Sequence, residues 1–226
     1  MKGESMNLKK KDINSSDFLS LALYAFGGLG LEVLLAFMIE PLVYGKSIND
    51  FTTFESILHW IITCIMWGSA AAILIRYSRE KYKFNIFEER DKIEKINWFI
   101  ALVILGVCII ISNWSWNGFK ILKELERNGW LKFIFQYIYY LFEVILVMLI
   151  IVFGQKAGEM QFKNHKVPWG GILVGLTWGL VHMLTKGDLM IGLTACLAGI
   201  LYGVTYLALK KNIYATYLLV LLMFIL

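Results

Sequence analysis

The stretch FIFQYIYYLFEVILVMLIIVFGQKAGEM (133–160) is apolar over most of its length and turns polar only at its end. Its interior polar residues are few, and the one carboxylate among them is Glu143. A helix that crosses a bilayer needs about 20 consecutive, predominantly apolar residues. The stretch therefore predicts a transmembrane helix that carries a buried acid.

Six further stretches share this character, and they lie at about 18–44, 54–77, 97–118, 168–185, 189–209 and 212–226. The chain is 58% hydrophobic and 17% charged, whereas a soluble domain is nearer half apolar and a quarter charged. We predict an all-α fold, a polytopic membrane helical bundle of about seven transmembrane helices. Because only two prolines and nineteen glycines occur, no long linker is expected, and 18–226 forms a single membrane domain after a cytoplasmic tail at 1–17.

The positions of the cations predict the orientation of this bundle. The tail is polar for seventeen residues, which is too long for a cleaved signal that begins its apolar core early. Sixteen of the 22 Lys and Arg residues lie in the tail and in the three connections on its side of the bundle. Positively charged segments stay on the cytoplasmic side, so we expect an integral, multi-pass protein of a bacterial-type cytoplasmic membrane with its N-terminus inside.

The net charge of +5 is explained by this topology and by contact with membrane lipids. Nucleic acid is not expected as a partner, since no basic face is interleaved with exposed aromatics. The segment FKILKELERNGWLK (119–132) spaces Phe119, Leu122 and Leu125 between charges, as an interfacial helix does. Three cysteines lie inside apolar runs without metal-site spacing, so neither a metal nor another cofactor is predicted.

Ionisable residues inside the spans are the candidate site residues, because a charge in hydrocarbon costs at least about 2.5–3.5 kcal/mol. Glu32 follows GGLGL and either accepts a hydrogen bond from a neighbouring helix or faces a substrate path. Glu40 precedes Pro41 near a span end, and His59 lies near a span start, so interfacial positions are expected for both. His165 is expected to be solvated in a turn.

His182 lies in the fifth span, about 14 residues beyond Pro168, or roughly 20 Å along a helix. The same distance back along the preceding span reaches Gln155, and Glu159 shares its face because i and i+4 align. An antiparallel hairpin would bring the three side chains to similar depth. We therefore expect either a polar, water-accessible pocket of Gln155, Glu159 and His182 or a hydrogen bond that only joins two helices.

The C-terminal third resembles the CPBP family, which includes CAAX prenyl proteases and bacteriocin-processing or immunity proteins and is also called the ABI family. VGLTWGLVH (174–182) is similar to the second family motif, Phe or Trp-x-x-x-His, with Trp178 and His182 in its two positions. AGILYGVTY (198–206) and IYATYLLV (213–220) resemble the stretches that follow it, so the likeness covers about 150–226. It implies an intramembrane endopeptidase.

The other two family motifs differ in this chain. QKAGEMQ (155–161) lies where Glu-Glu-x-x-x-Arg would fall, which places Gln155 and Lys156 on the glutamates. Val220 and Phe224 stand at the positions of the late histidine and the residue four further on. In the family the first glutamate is the general base on a water, and Gln155 cannot take that role.

Three functions follow from these patterns. The first is a non-catalytic member, of the immunity type, that binds or protects against a peptide, a lipid-linked molecule or a membrane-protein partner. The second is an intramembrane peptidase rebuilt around Glu159 and His182, and the third is a substrate-binding transporter subunit. In each of them the candidate binding residues are Gln155, Trp178, Glu143 and Glu32.

Overall fold

The computed structural model describes residues 13–88 and 92–226, and these ranges are helical apart from their connections. Twelve of the seventeen residues of the predicted tail lie outside the described residues. The helices are α1 (Ser15–Tyr44), α2 (Thr53–Tyr82), α3 (Lys95–Ser115), α4 (Lys120–Phe162), α5 (Trp169–Val174, Gly175–Gly179 and Leu180–Lys186), α6 (Leu189–Ala208) and α7 (Ile213–Ile225). The predicted all-α class is thereby confirmed.

Five of the seven helices, α1 to α4 and α6, are long and apolar enough to cross a membrane. This is the architecture of a multi-pass membrane protein. The remaining two, α5 and α7, are shorter apolar helices. The 13 residues of α7 extend about 20 Å, against about 30 Å of hydrocarbon. That α5 and α7 also cross the bilayer stays a prediction.

Local sequence signals explain where the helices start and stop. Asn14 and Asp17 form a reciprocal capping box at the start of α1, and Thr52 and Glu55 form another at the start of α2. Each box satisfies two backbone N–H groups that a helix start leaves open. At the far end of α1, Gly45 adopts φ 67°, a left-handed conformation that stops the helix without a side-chain clash.

Helix α4 forms the centre of the bundle. Its middle, 144–154, is buried almost throughout, and it packs against α1 and α2 on one side and α5 and α7 on the other. A helix that is apolar all round is a helix surrounded by others. Helix α3 lies at the edge against α6 and α7, and most of its surface is exposed. The exposed apolar side chains outside, such as Leu42, Ile110 and Leu184, suit contact with lipid.

Glycines set how closely α5 approaches its neighbours. A Cβ built on Gly170 would lie 2.0 Å from the backbone oxygen of Ile151 in α4. On the other side of α5, a Cβ on Gly171 would lie 2.7 Å from Cα of Gly203 in α6. Helix backbones in membranes approach this closely only where the contact residues are small. The glycines therefore fix the position of α5 between α4 and α6.

The bundle has two ends, which we name by the chain. The N-terminal face carries the start of α1, the described parts 83–88 and 92–94 of one connection, and the connections 163–168 and 209–212. The opposite end, the far face, carries the connections 45–52, 116–119 and 187–188. The first nine residues of α4, 120–128, lie at the far face and are separated from its main part by Gly129, where φ is 67°.

This short segment matches only part of the interfacial helix that its sequence predicts. Phe119, Leu122 and Leu125 are exposed, as expected for a helix that contacts a membrane surface. Its polar side chain Glu124, however, is buried against the main part of α4. The polar face of the segment thus points into the bundle.

Candidate functional site

Three buried side chains and the partly exposed Glu32 form what we call the His59 cluster: Glu32 and Glu40 of α1, His59 of α2 and Tyr139 of α4. His59 Nδ1 lies 2.8 Å from Glu40 Oε2, and His59 Nε2 lies 3.4 Å from Glu32 Oε1. The Tyr139 hydroxyl donates to Glu32 Oε1 at 2.8 Å. His59 is 2% exposed and Glu40 3%, whereas the Glu32 side chain retains 29% exposure. Only Glu32 connects the cluster with its surroundings.

A π-helical turn in α1, Leu35–Ile39, allows the two glutamates to face the same histidine. Glu32 and Glu40 are eight residues apart, and at about 100° per residue an unbroken α-helix would turn them about 80° away from each other. The π-turn accommodates one extra residue. The rotation from Glu32 to Glu40 is then that of seven α-helical residues. It leaves the two side chains only about 20° apart around the helix axis.

The structure adds a contact to the expected interfacial positions of Glu40 and His59. Both side chains are buried between helices and lie against each other, and their depth in the membrane stays a prediction. The sequence predicts Glu40 near the end of a span, and Glu40 lies four residues before the end of α1. The π-turn, which the sequence does not reveal, rotates it inward to His59.

The second polar site, the His182 pocket, consists of Glu143, Trp178 and His182. The indole Nε1 of Trp178 donates to Glu143 Oε1 at 2.9 Å. The ring of His182 lies 4.3 Å from the ring of Trp178, and its Nδ1 is 2.8 Å from the carbonyl oxygen of Trp178. Since a carbonyl only accepts, the proton of the neutral ring sits on Nδ1. Glu143 and Trp178 are buried, and His182 is half-buried.

Apolar and aromatic groups surround this pocket on the side of α7. The ring of Phe224 lies 5.7 Å from that of Trp178 and 5.0 Å from that of Tyr140. Val220, one turn earlier on α7, is completely buried. Neither side chain offers a hydrogen-bond donor or acceptor. The two positions where the family resemblance implies polar groups therefore supply packing only.

A lysine from the far-face segment lies against the same aromatic rings. Lys120 Nζ is 4.9 Å from the ring centre of Tyr140 and 4.8 Å from that of Phe224, and it donates to the backbone oxygen of Phe224. The Tyr140 hydroxyl donates to Glu124 at 2.6 Å. The segment 120–128 is thus fastened over the far-face side of the His182 pocket by ionic, cation–π and hydrogen-bond contacts.

Gln155 and Glu159 belong to a third site, at the N-terminal face. Gln155 Nε2 donates to Glu159 Oε1 at 2.8 Å and to the carbonyl of Val167 at 3.0 Å, and its Oε1 accepts from the N–H of Gly170 at 3.2 Å. Lys211 Nζ lies 2.6 Å from Glu159. His165 also contacts Glu159, at 3.2 Å, and its side chain is 71% exposed. These contacts join the end of α4 to the starts of α5 and α7.

The expected cluster of Gln155, Glu159 and His182 is therefore wrong. Gln155 faces Gly170, near the start of α5, and His182 lies twelve residues further along, or about 18 Å. The expected depth of Gln155 assumed that the helix before Pro168 is continuous up to that residue. Helix α4 ends at Phe162, however, and the residues between Phe162 and Pro168 add nothing to its length. The residue of α4 that meets the Trp178–His182 turn is Glu143.

Sequence reasoning thus found the residues of the His182 pocket but not their grouping. Glu143, Trp178 and Glu32 were candidates, and the structure places the first two together and the third in the His59 cluster. It missed Tyr139 and Lys120. One signal was present for the latter: Lys120, Glu124 and Asn128 repeat every four residues and form a polar face that continues inward.

The fold and these sites define a multi-pass helical membrane protein with polar side chains buried in its core. No group of three or more His, Cys, Asp or Glu within 13–88 and 92–226 is arranged to hold a metal ion. Comparison with protein families, curated proteins and solved structures finds no match to this chain.

Proposed function

We propose that this chain is a non-catalytic membrane protein of the kind suggested by its resemblance to the CPBP family. Its function is to bind, or protect against, a partner that reaches it within the membrane: a peptide, a lipid-linked molecule or a segment of a membrane protein. The His182 pocket is the proposed contact. It is half-open at His182, while Glu143 and Trp178 hold that end of α5 in place.

The observation that carries this proposal is the apolar packing of α7 against the pocket. A hydrolase of the family type needs donors aimed at the oxyanion and a positioned water. Here Val220 is buried and Phe224 packs on Trp178 where such groups would stand. The geometry supports binding by an aromatic and polar surface more than it supports hydrolysis.

A second argument comes from Gln155, which the resemblance aligns with the first catalytic glutamate, and from Glu159, the proposed substitute base. Gln155 uses its side-chain amide to join α4 to α5, and Glu159 is held by Lys211 at 2.6 Å. Gln155 contacts Gly170, which lies about 18 Å along α5 from His182, and Glu159 lies one turn further away on α4. A displacement of this size removes a general base from any reaction at His182.

One observation favours the peptidase alternative, in a changed form. Glu143 is a carboxylate that lies beside Trp178, and the ring of Trp178 contacts His182. If the chain hydrolyses peptides, Glu143 rather than Glu159 is the candidate base. No contact among the described residues specifically favours the transporter subunit, which stays a prediction.

A photo-crosslinking experiment tests the proposed function. A photoreactive amino acid is placed at Thr185, an exposed position one turn from His182, in membranes of the native host. We expect a discrete covalent adduct that falls at least about tenfold when His182→Ala is added, since removing the ring removes a contact in the pocket. The control is the same photoreactive group at Ile110, an exposed position on α3, which should give only lipid adducts.

Peptide hydrolysis by the same purified protein distinguishes the two functions. The proposal expects no cleavage of a membrane-peptide library by the wild-type chain. Cleavage that disappears in Glu143→Gln, with Glu159→Gln as the matched control that retains it, would replace the binding function by the peptidase. An adduct at Thr185 that is insensitive to His182→Ala would exclude the pocket as the contact.

We also propose that the N-terminal face is cytoplasmic, in a bacterial-type membrane, on the strength of its excess of Lys and Arg. Single cysteines are introduced at the exposed positions Lys166, on the N-terminal face, and Asn49, on the far face. A membrane-impermeant maleimide applied to intact cells should label Asn49→Cys and spare Lys166→Cys. Permeabilised cells, in which both react, provide the control. The reverse labelling pattern would invert the topology.

A further inference from the structure

The His59 cluster takes no part in the proposed binding function, and its chemistry is unusual for the interior of a membrane helix bundle. Two carboxylates, Glu32 and Glu40, contact the two nitrogens of one imidazole. With every carboxyl ionised, the cluster carries a charge of −2 or −1, depending on His59. Isolated charges at membrane depth are strongly disfavoured, so such a cluster needs further positive charge.

Glu40 shows where that charge is needed. Its Oε2 contacts His59, but its Oε1 is buried and has no hydrogen-bond partner among the described residues. An ionised carboxylate oxygen in that position would lose its hydration without compensation. A protonated carboxyl at Glu40 removes the charge and leaves only a neutral group to bury.

The other ionisable groups near the cluster do not supply this charge. From α4, Tyr139 donates its hydroxyl to Glu32 and is neutral. Lys46 lies at the far face and is paired with Glu55 at 2.7 Å. Lys132 of α4 lies over the ring of Trp60, 5.7 Å from its centre. Both lysines are thus engaged with other groups.

We propose that the His59 cluster is a proton-binding site, in which Glu40 holds a proton, His59 is the imidazolium that bridges the two glutamates, and Glu32 remains ionised. A ring protonated on both nitrogens donates to Glu40 Oε2 and Glu32 Oε1 at the observed positions. The resulting cluster is neutral.

Geometry favours a proton over a metal ion as the ligand. A histidine binds a metal through the lone pair of one ring nitrogen. Both ring nitrogens of His59 are directed at carboxylate oxygens, at 2.8 Å and 3.4 Å, so neither is open to a metal.

The cluster lies near the far face of the bundle. Glu40 lies four residues before the end of α1 and His59 six residues after the start of α2, which is within about 10 Å of the far face. Glu32 retains 29% side-chain exposure and contacts His59 directly. Glu32 is therefore the member of the cluster that is least buried by protein.

Infrared spectroscopy of the purified full chain tests this proposal, because the carbonyl stretch of a protonated carboxyl is separate from the carboxylate bands. We expect the wild-type protein to show this band at pH 7 and to lose it on alkaline titration. Glu40→Gln should lower the amplitude of the band by that of one carboxyl. Glu55→Gln should leave it unchanged, since Glu55 accepts hydrogen bonds from Thr52 and is paired with Lys46.

A second measurement on the wild-type chain does not depend on the folding of any variant. In an unfolded chain the pKa of glutamate is about 4.3 and that of histidine about 6.5. The folded state then holds more protons than the unfolded state above neutral pH, so stability falls as pH rises. Each extra proton lowers the folding equilibrium constant about tenfold per pH unit.

Three results would overturn the proton site. They are the absence of a protonated-carboxyl band between pH 5 and 8, a band that persists at full amplitude in Glu40→Gln, and a folding equilibrium constant that is independent of pH between 7 and 8. Neither the infrared band nor the pH dependence of folding measures partner binding or peptide cleavage. The proton site can therefore fail while the proposed function holds, and the reverse.

Discussion

Replacement of His59 by alanine is expected to lower the free energy of unfolding by about 3 kcal/mol or more. The change leaves Glu40, which is 3% exposed, and Glu32 without the imidazole that separates them. Removing one partner of a buried ionic pair typically costs about 3–5 kcal/mol, because the other partner stays buried without compensation. Denaturant or thermal unfolding in a fixed detergent measures the loss.

Two variants serve as references for this result. His165→Ala removes another histidine that contacts a glutamate, but its side chain is 71% exposed, so its effect should stay below about 1 kcal/mol. In the double variant His59→Ala, Glu32→Gln the second change removes the carboxylate that has lost its imidazolium partner and should restore part of the stability. A loss of less than about 1 kcal/mol in His59→Ala would show that the cluster does not hold α1, α2 and α4 together.

The second large effect is expected from Gly170→Ala. The added Cβ would lie 2.0 Å from the backbone oxygen of Ile151, and a backbone atom cannot turn aside as a flexible side chain can. Helix α5 must then move away from α4, which weakens the hydrogen bond between the N–H of Gly170 and Gln155. Overpacking of this kind costs about 1–3 kcal/mol, and we expect the upper end of that range.

Gly106→Ala is the matched control for this substitution. A Cβ at Gly106, in the exposed helix α3, would have no atom within 4 Å. Alanine is favoured over glycine in a helix by about 1 kcal/mol, so this variant should be as stable as the wild type or more so. If Gly170→Ala and Gly106→Ala are equally stable, helices α4 and α5 can move apart at little cost in free energy.

The helices were predictable from the sequence because their signal is long and redundant. A run such as 133–160 contains enough apolar residues that a few polar ones do not obscure it, and the observed α4 includes the whole run. Most helix ends lie within a few residues of the predicted ones, but α2 continues to Tyr82 and α4 begins already at Lys120. Thr52 and Asn212, which were not used for that prediction, cap the starts of α2 and α7. The local chemistry of the chain determines these features.

The grouping of polar side chains was less predictable because it depends on angles and depths between helices. Gln155 was the expected partner of His182, but the structure places Gln155 beside Gly170, and Glu143, twelve residues earlier on α4, beside Trp178. The six residues of the connection 163–168 account for only part of this difference. The π-turn at Leu35–Ile39 rotates Glu40 by roughly one residue step, and no residue type marks such a turn in the sequence. Both features arise from packing and not from local preference.

The central position of α4 has a consequence for biosynthesis. Glu143 is bonded to Trp178, 35 residues later in the chain, and Glu159 to Lys211, 52 residues later. During synthesis α4 therefore emerges before these partners exist. Its run of ten apolar residues from Val144 to Phe153 favours insertion by about 3–6 kcal/mol, which is enough to offset one unpaired glutamate. We expect α4 to enter the membrane before α5 to α7. Glu143 can then contact Trp178 only after α5 is made, and Glu159 can contact Lys211 only after α6 is made.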